Sequence, residues 1–376
     1  MEKRDVSGRW IVPGLIDAHV HAESDEDLKQ MLRWGITTVR LMSEDVTKAS
    51  AVARSSRMRT DIPEVIPAAP IFTATGGWWD QGEPPDANLD RTPETAETAR
   101  AAVRAAKELG SGEIKLMLDD MAWCRDPSPR LPRMAPRVAE ALLSQATSFG
   151  MRSSVHAPDI AQARAAVAGG ATLLAHGVLD RFDAPTVAEM KRRPVFYVPT
   201  MDVFEFLADT RAFVDGVLLD PIVTRPGSGL SAETIARYRS KEYSDGYLRR
   251  YPNFANVRRR LPQLRENLRR LHAAGVPVAL GTDMWAFPGL GASIEMDLYV
   301  KAGLSPVEAL RAATQTSARS LGIERDRGTL ERGKRADFLV LSDDPIESVL
   351  NVRKITEIYK RGERVGTGAA VGPFGR

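Results

Sequence analysis

Only one of the 376 residues is a cysteine, Cys124, and only five are histidines. A single thiol excludes an internal disulfide and fits, without requiring, a reducing compartment. No apolar run approaches the roughly 18 residues a membrane span needs, and the opening MEKRDVSGRW lacks the apolar stretch of a secretory signal. A cytoplasmic location is therefore the expectation, unless the natural start lies further upstream. Neither sign of charge dominates, since 52 basic and 49 acidic residues leave a net charge of +3. That balance gives no reason to invoke nucleic acid or a membrane surface, so a small molecule is the expected partner. A dinucleotide fingerprint is missing too: Gly366-Thr367-Gly368 lacks the later glycine and the flanking strand and helix.

The scarce histidines are placed unevenly. His19 and His21 close the apolar run WIVPGLIDAHVH, and spaced i, i+2 on a strand they point to one side. His156 and His176 also end apolar runs, whereas His272 lies in the helix-like NLRRLHAAG. Strands are expected near 14–21, 36–42, 64–72, 113–118, 151–157, 171–176, 194–200 and 276–283. Helical stretches separate them, such as DEDLKQMLRWG and TPETAETARAAVRAAKELG, the latter capped at Thr92-Pro93 and stopped at Gly110. Eight such units suit an α/β fold of the (β/α)8 TIM barrel type, and the near-continuous apolar strands suit a parallel sheet buried on both faces.

In a barrel the C-terminal strand ends converge on one face. His19, His21, Lys115 (in GEIKLML), His156, His176 and Asp283 (in VPVALGTDMW) would meet there. A hydrogen-bonded structural cluster is the bland reading of that set, and a metal site the sharp one. Lys115 has its own bland reading, a packed stem with its ammonium paired to Asp119 or Asp120.

These segments resemble the amidohydrolase superfamily, in the branch of imidazolonepropionase-like and Xaa-Pro dipeptidase-like enzymes. The matching stretches include GRWIVPGLIDAHVH, GITTVR, EIKLM, SVHAPDIAQARAAVAGGATLLAHGV, LHAAGVPVALGTDMW, LSPVEALRAATQTSARSLGI and the closing GTLERGKRADFLVLSDDPIESVLNVRKITEIYKRGERV. The resemblance spans nearly the whole chain and is weakest near 73–92 and 202–256. It implies that His19, His21 and Asp283 hold one divalent ion and His156 and His176 a second. Lys115 would bridge them as a carboxylated lysine, because an ammonium offers a metal no lone pair. Zinc is the expected ion, with manganese or cobalt able to substitute. Asp283 would be the general acid/base of a hydrolysis of an amide-type bond in a dipeptide, N-acyl amino acid or cyclic amide. A deaminase, an ester or organophosphate hydrolase on the same site, and a non-catalytic barrel are the alternatives.

The resemblance also implies a barrel over 11–323 and a small, N-terminally truncated β-sandwich appendage from 1–10 and 324–376. Family members carry a longer segment ahead of the HxH strand, so either the start is incomplete or a homo-oligomer contact covers the exposed edge. Trp78 and Trp79, in a Gly/Pro-rich loop, are candidate walls of the substrate pocket, with a self-stabilised loop as the alternative. Tyr197 is a candidate for orienting a substrate carbonyl or else a buried structural tyrosine. The connection 202–256, with four tyrosines in RYRSKEYSDGYLRRYP, has the length of a lid. The eight arginines from Arg249 to Arg270 read best as a solvated helix face, with an arginine over a substrate carboxylate as the minority reading.

Overall fold

A computed structural model describes residues 4–43, 45–80, 86, 89–125, 129–250 and 254–366. Its strands, in chain order, are β1 (Trp10–Pro13), β2 (Leu15–Val20), β3 (Ile36–Met42), β4 (Glu64–Ala68), β5 (Ile71–Phe72) and β6 (Glu113–Met117). They continue as β7 (Arg152–His156), β8 (Leu173–Ala175), β9 (Phe196–Val198), β10 (Phe338–Leu341), β11 (Ile355–Lys360) and β12 (Glu363–Gly366). Parallel pairing joins β2-β3-β4 in one sheet and β5-β6-β7-β8-β9 in another.

Backbone hydrogen bonds join the free edges of the two sheets. Ala69 N–H donates to Glu113 O across the β4/β6 gap (3.1 Å). On the other side Tyr197 N–H donates to Pro277 O (2.9 Å), and Ala18 N–H donates to Leu280 O (2.8 Å). The parallel strands and intervening helices thus follow the order expected of a (β/α) barrel.

Two expected strands differ. The run 64–72 is split into β4 and β5, because Pro67 and Pro70 supply no N–H donor to a ladder. The expected eighth strand, 276–283, is reduced to one parallel bridge between Tyr197 and Val278. Pro277 lacks a donor, and Asp283 takes a positive φ of 53° that ends any extended run.

The helices bury apolar stripes on the outside of this ring. Asp25–Arg33 turns Leu28, Met31 and Leu32 inward at i, i+3, i+4 spacing, worth about 1.5–3 kcal/mol for each buried side chain. Its start is fixed by Ser24 and Asp27, each side chain accepting the other's backbone N–H. The helix expected from Thr92-Pro93 instead runs Ala96–Glu108. The reciprocal Thr95/Thr98 cap, two bonds of 3.1 Å, satisfies orphan donors that Pro93 cannot. Gly110, at φ 93°, follows its end as expected.

A four-stranded antiparallel sheet, β1-β10-β11-β12, stands beside the parallel strands. Residues 11–13, expected in the barrel, pair here with β10, while residues 1–3 and 367–376 lie outside the described part. Polar ties lock the sheet on. Lys360 Nζ donates to Arg59 O (2.9 Å) and Ile62 O (2.5 Å), and both Arg327 and Arg335 reach Glu64. Trp10 and Ile11 on β1 stay exposed.

A buried charged pair lies beneath the C-terminal strand ends. Arg40 and Glu113, both buried, approach at 3.3 Å between Nε and Oε2, and Ser154 donates to Glu113 Oε1 at 2.6 Å. Glu113 and Lys115 lie two apart on β6, so the same side of that strand carries this ion pair and, one layer higher, the lysine.

Candidate metal centre

Four histidines, a lysine and an aspartate meet above that layer. His19, at the end of β2, is fully buried, and neither of its ring nitrogens has a hydrogen-bond partner. Its Nε2 lies 3.7 Å from Asp283 Oδ1, and His21 Nε2 lies 3.5 Å from the same oxygen. His176 Nδ1 is 3.6 Å from Asp283 Oδ2 and 3.0 Å from the Thr200 hydroxyl. Lys115 Nζ is 3.3 Å from His176 Nε2, and the His156 and His176 rings are 4.4 Å apart.

The tight group among the described residues is His19, His176 and Asp283, whose ligand atoms all lie within 4.8 Å of one another. That grouping cuts across the expected division of ligands between two ions. His156 departs furthest, with Nε2 3.0 Å from Asp119 Oδ2 and Nδ1 buried without a partner. Asp119 also accepts from Trp123 Nε1 at 2.7 Å, and Asp120 is engaged by Arg133 at 2.8 Å. The bland pairing of Lys115 with Asp119 or Asp120 is therefore absent.

Burial sets the protonation of this cluster. It drives His19 and His176 well below the ordinary imidazole range and His21 to about 3, with the Lys115 charge pushing the same way. His156 is lowered by burial against the opposing pull of Asp119. Neutral imidazoles with free lone pairs are the form that ligates a metal. Burial also brings Lys115 down to about 7 and Asp283 up to about 7. Buried imidazoles with orphaned nitrogens around a carboxylate leave a deficit that a divalent cation would fill, so the residues fit such an ion.

Local backbone geometry holds these groups. Among the described residues seven non-glycines have positive φ, and five belong here: His176 (70°), Asp283 (53°), Thr200 (45°), Trp79 (73°) and Met121 (57°). Such strain, of order 1–3 kcal/mol each, persists where the surroundings over-determine it and gathers at functional sites. Gly281 allows a close approach: a Cβ there would stand 2.5 Å from Val198 Cγ1 and 2.7 Å from His19 Cβ. Asp283 N–H then donates to His19 O at 2.8 Å, fixing the two ends together.

Sequence reasoning missed Asp17. It sits two residues before His19 on β2, accepts from His19 N–H and Thr282 N–H (both 3.1 Å) and takes the Thr282 hydroxyl at 2.7 Å. The period of two in LIDAHVH carried the signal. Burial raises its carboxyl to about 7. Thr200, which sets the His176 ring, carried no signal in the sequence.

A cavity of 340 Å³ opens above the cluster, with His21, Lys115, His156, His176 and Asp283 at its base. Its walls are apolar, with aromatic rings from Trp78, Trp79, Trp123, Phe204, Tyr247 and Trp285 beside aliphatic side chains such as Val203 and Leu207. Trp79 stands 5.0 Å from the His21 ring. Phe204 and Tyr247 come from the helices that fill the long connection after β9, of which residues 251–253 lie outside the described part, as do 81–85, 87 and 88 of the loop 73–92. Tyr197 is not on the wall. It is fully buried, its hydroxyl accepts from Val178 N–H (3.3 Å) and its ring meets Phe182 edge-on, so the structural alternative describes it. His272 is peripheral, 2.9 Å from Glu308.

The arginine helix Phe254–Ala273 carries ion pairs on a solvated face, Arg258 to Asp209 (2.7 Å) and Arg260 to Asp180 (2.9 Å) among them. None of its described arginines reaches the cavity wall. Among the described residues no helix is long and apolar enough to cross a membrane.

A family model described as "Amidohydrolase family" matches residues 10–365. Ochratoxinase of Aspergillus niger is 26% identical over 318 residues, covering 83% of this chain and 57% of that protein. The chain thus spans little more than half the length of that curated relative. Imidazolonepropionase of Deinococcus deserti is 39% identical over 103 residues, 26% of either chain. Among solved structures, a Xaa-Pro dipeptidase with bound methionine superposes with a TM-score of 0.73 at 21% identity, covering 97% of this chain and 90% of the other, which establishes a shared fold.

Proposed function

The chain belongs to the amidohydrolase family, and on that premise we propose that it is a metal-dependent hydrolase of amide-type carbon–nitrogen bonds. The observation that carries the reading is His19, fully buried with both ring nitrogens unpartnered, beside His176 and Asp283. Nothing in a merely structural cluster requires an imidazole to forfeit both hydrogen bonds, at about 1–3 kcal/mol for each unsatisfied group. The relatives' names, a dipeptidase and two hydrolytic enzymes among them, agree with an amide bond as target.

His19, His21 and Asp283 would hold one divalent ion and His156 and His176 a second, with Lys115 joining both after its amine adds carbon dioxide and releases a proton. Zinc suits the mixed imidazole and carboxylate set, and manganese or cobalt would also be accepted. Such ions would supply Lewis acidity, polarising a carbonyl and lowering the pKa of bound water to about 7.

The chain's own groups do the rest. Asp283 stands within 3.7 Å of three imidazoles at the base of the cavity, placed to take a proton from the attacking water and return it to the leaving nitrogen. Asp17 ties His19 to Thr282 and so holds Asp283 in register with β2. The Thr200 hydroxyl orients the His176 ring. Trp78 and Trp79 form part of the substrate wall, and the helices after β9 cover it as a lid. The antiparallel sheet is the smaller partner domain, a partial β-sandwich locked onto the barrel.

The test is a panel of dipeptides, N-acyl amino acids, anilides and cyclic amides, assayed with added zinc, manganese or cobalt in bicarbonate buffer. Hydrolysis that chelation abolishes, and that His19→Ala or Lys115→Ala lowers by at least about a hundredfold, is the expected result. Turnover that survives chelation or either substitution would refute it.

A further inference from the structure

The cavity above the cluster carries a consistent statement about what it can hold. Its wall is built from aromatic rings whose polar atoms are already used inside the protein. Trp123 Nε1 donates to Asp119 Oδ2 at 2.7 Å, and Trp285 Nε1 donates to Tyr247 Oη at 2.6 Å. What these two tryptophans offer inward is ring surface. Phe206, behind the wall, packs edge-on against both Tyr247 (5.0 Å) and Trp285 (5.7 Å) and keeps them upright.

Charge is distributed as unusually as the rings. Among the described residues the wall carries no guanidinium, and Lys115, at the base, is 1% exposed and engaged with His176. Glu23 stands exposed at the cavity's edge and adds negative charge there. Among the described arginines, Arg237 lines a smaller hollow of 230 Å³ that shares His21, Glu23, Tyr247 and Trp285 with the main cavity. In that hollow it is accompanied by Glu23 and Asp27, and its guanidinium lies 5.3 Å from the Tyr238 ring centroid. On the wall, above the metal-binding base, a substrate carboxylate would lose water against aromatic faces and meet Glu23 rather than a fork of N–H donors.

We propose that this site selects uncharged aromatic amides, and discriminates against substrates carrying a free carboxylate next to the scissile bond. This narrows the amide hydrolysis proposed above, and rests on it for the chemistry but not for the binding preference. A flat ring entering the cup can stack edge-on or offset against several aromatic neighbours. A carboxylate on the same scaffold has no described guanidinium on the wall to pair with. Free dipeptides and N-acyl amino acids are therefore the poorer members of the amide class for this chain, and their neutral amides or anilides the better ones.

The test uses an isosteric pair, N-phenylacetyl-phenylalanine and N-phenylacetyl-phenylalaninamide, which differ by one charge. Hydrolysis of both is compared by kcat/KM on the metal-supplied protein. In parallel, calorimetry measures binding of their ketomethylene analogues, in which CH2 replaces the scissile N–H so that no turnover occurs. The carboxamide is expected to lead by at least about tenfold in each measurement, the scale of desolvating an unpaired charge. Trp285→Ala should weaken the carboxamide analogue about tenfold while leaving thermal stability nearly intact, since Trp285 is 37% exposed. Arg237→Ala should change neither analogue more than about twofold.

Equal or tighter binding of the carboxylate overturns the proposal, as does failure of the carboxamide analogue to bind. Loss of carboxylate binding in Arg237→Ala overturns it too, by identifying a carboxylate anchor. A carboxamide preference in binding with no cleavage of either amide would sustain the selectivity and remove the proposed hydrolysis instead. Cleavage of both amides at equal kcat/KM would do the reverse.

Discussion

Replacing Glu113 with alanine tests how much the fold relies on the charged layer under the metal centre. Arg40 is fully buried on β3, and its described partners are Ser320 O (2.5 Å), Ala18 O at a long 3.4 Å, and the Glu113 carboxylate at 3.3 Å. Removing the carboxylate leaves a buried guanidinium with carbonyl dipoles and no counter-charge, a change that costs about 3–5 kcal/mol. Ser154 loses its 2.6 Å acceptor as well, adding about 1 kcal/mol. The sum, about 4–6 kcal/mol, is a large part of the roughly 5–15 kcal/mol that holds a typical protein folded. Urea denaturation followed by circular dichroism would measure it, with Asp297→Ala as the comparator. Asp297 pairs with Lys301 at 2.7 Å, one turn along the same helix and with the lysine mostly exposed, so breaking that contact should cost under about 1 kcal/mol. The double change Arg40→Met with Glu113→Leu should recover most of the loss, because apolar replacement of a buried pair is often neutral. A Glu113→Ala penalty below about 1 kcal/mol would refute the reasoning, and so would a double variant no more stable than the single.

Three further outcomes follow from the packing around the site. Gly281→Ala places a methyl group within 3 Å of Val198 and His19, so it should cut activity by at least about tenfold and lower the melting temperature by several degrees; an unchanged enzyme in both assays would contradict the close approach. Glu295 accepts from Met201 N–H (2.9 Å) and Asp202 N–H (2.8 Å) beside the buried Asp202 carboxyl, and burial pushes it up to about 7. The folded protein then holds a proton that the unfolded chain has released above its ordinary 4.5, so this contribution is full below that value and is lost as pH rises through about 7. Denaturation midpoints between pH 5 and 8 should fall with pH, and a Glu295→Gln variant should show a flatter profile; an equally steep one would count against the raised Glu295 carboxyl. Tyr197→Phe removes only the acceptor for Val178 N–H, so stability should drop by about 1 kcal/mol with kcat unchanged, and a large loss of kcat would return Tyr197 to the active site.

The base of the site was legible because rare residue types closed apolar runs. His19, His21, Lys115, His156, His176 and Asp283 each end or interrupt a strand-like stretch, and parallel strands carry such ends to one face. How they group was not legible. The pairing of His156 with Asp119, and the left-handed backbone at His176, Thr200 and Asp283, arise from contacts between distant segments, and no local pattern marks a non-glycine residue for positive φ. The split of 64–72 was written in Pro67 and Pro70, whose missing donors a reading of apolar character alone passes over. Trp123 and Trp285 escaped notice for another reason: each lies in a short segment without periodicity, and only the closed ring brings them to the cavity.

The central claim is that this cluster binds divalent metal. Plasma mass spectrometry on protein purified without chelator, in bicarbonate-containing buffer, reads it directly. About two equivalents of zinc, manganese or cobalt per chain are expected, falling toward one in Lys115→Ala as the bridge is lost. A chain that binds no divalent ion, even after zinc is added in excess, would contradict the account and leave His19 with two buried nitrogens that nothing explains.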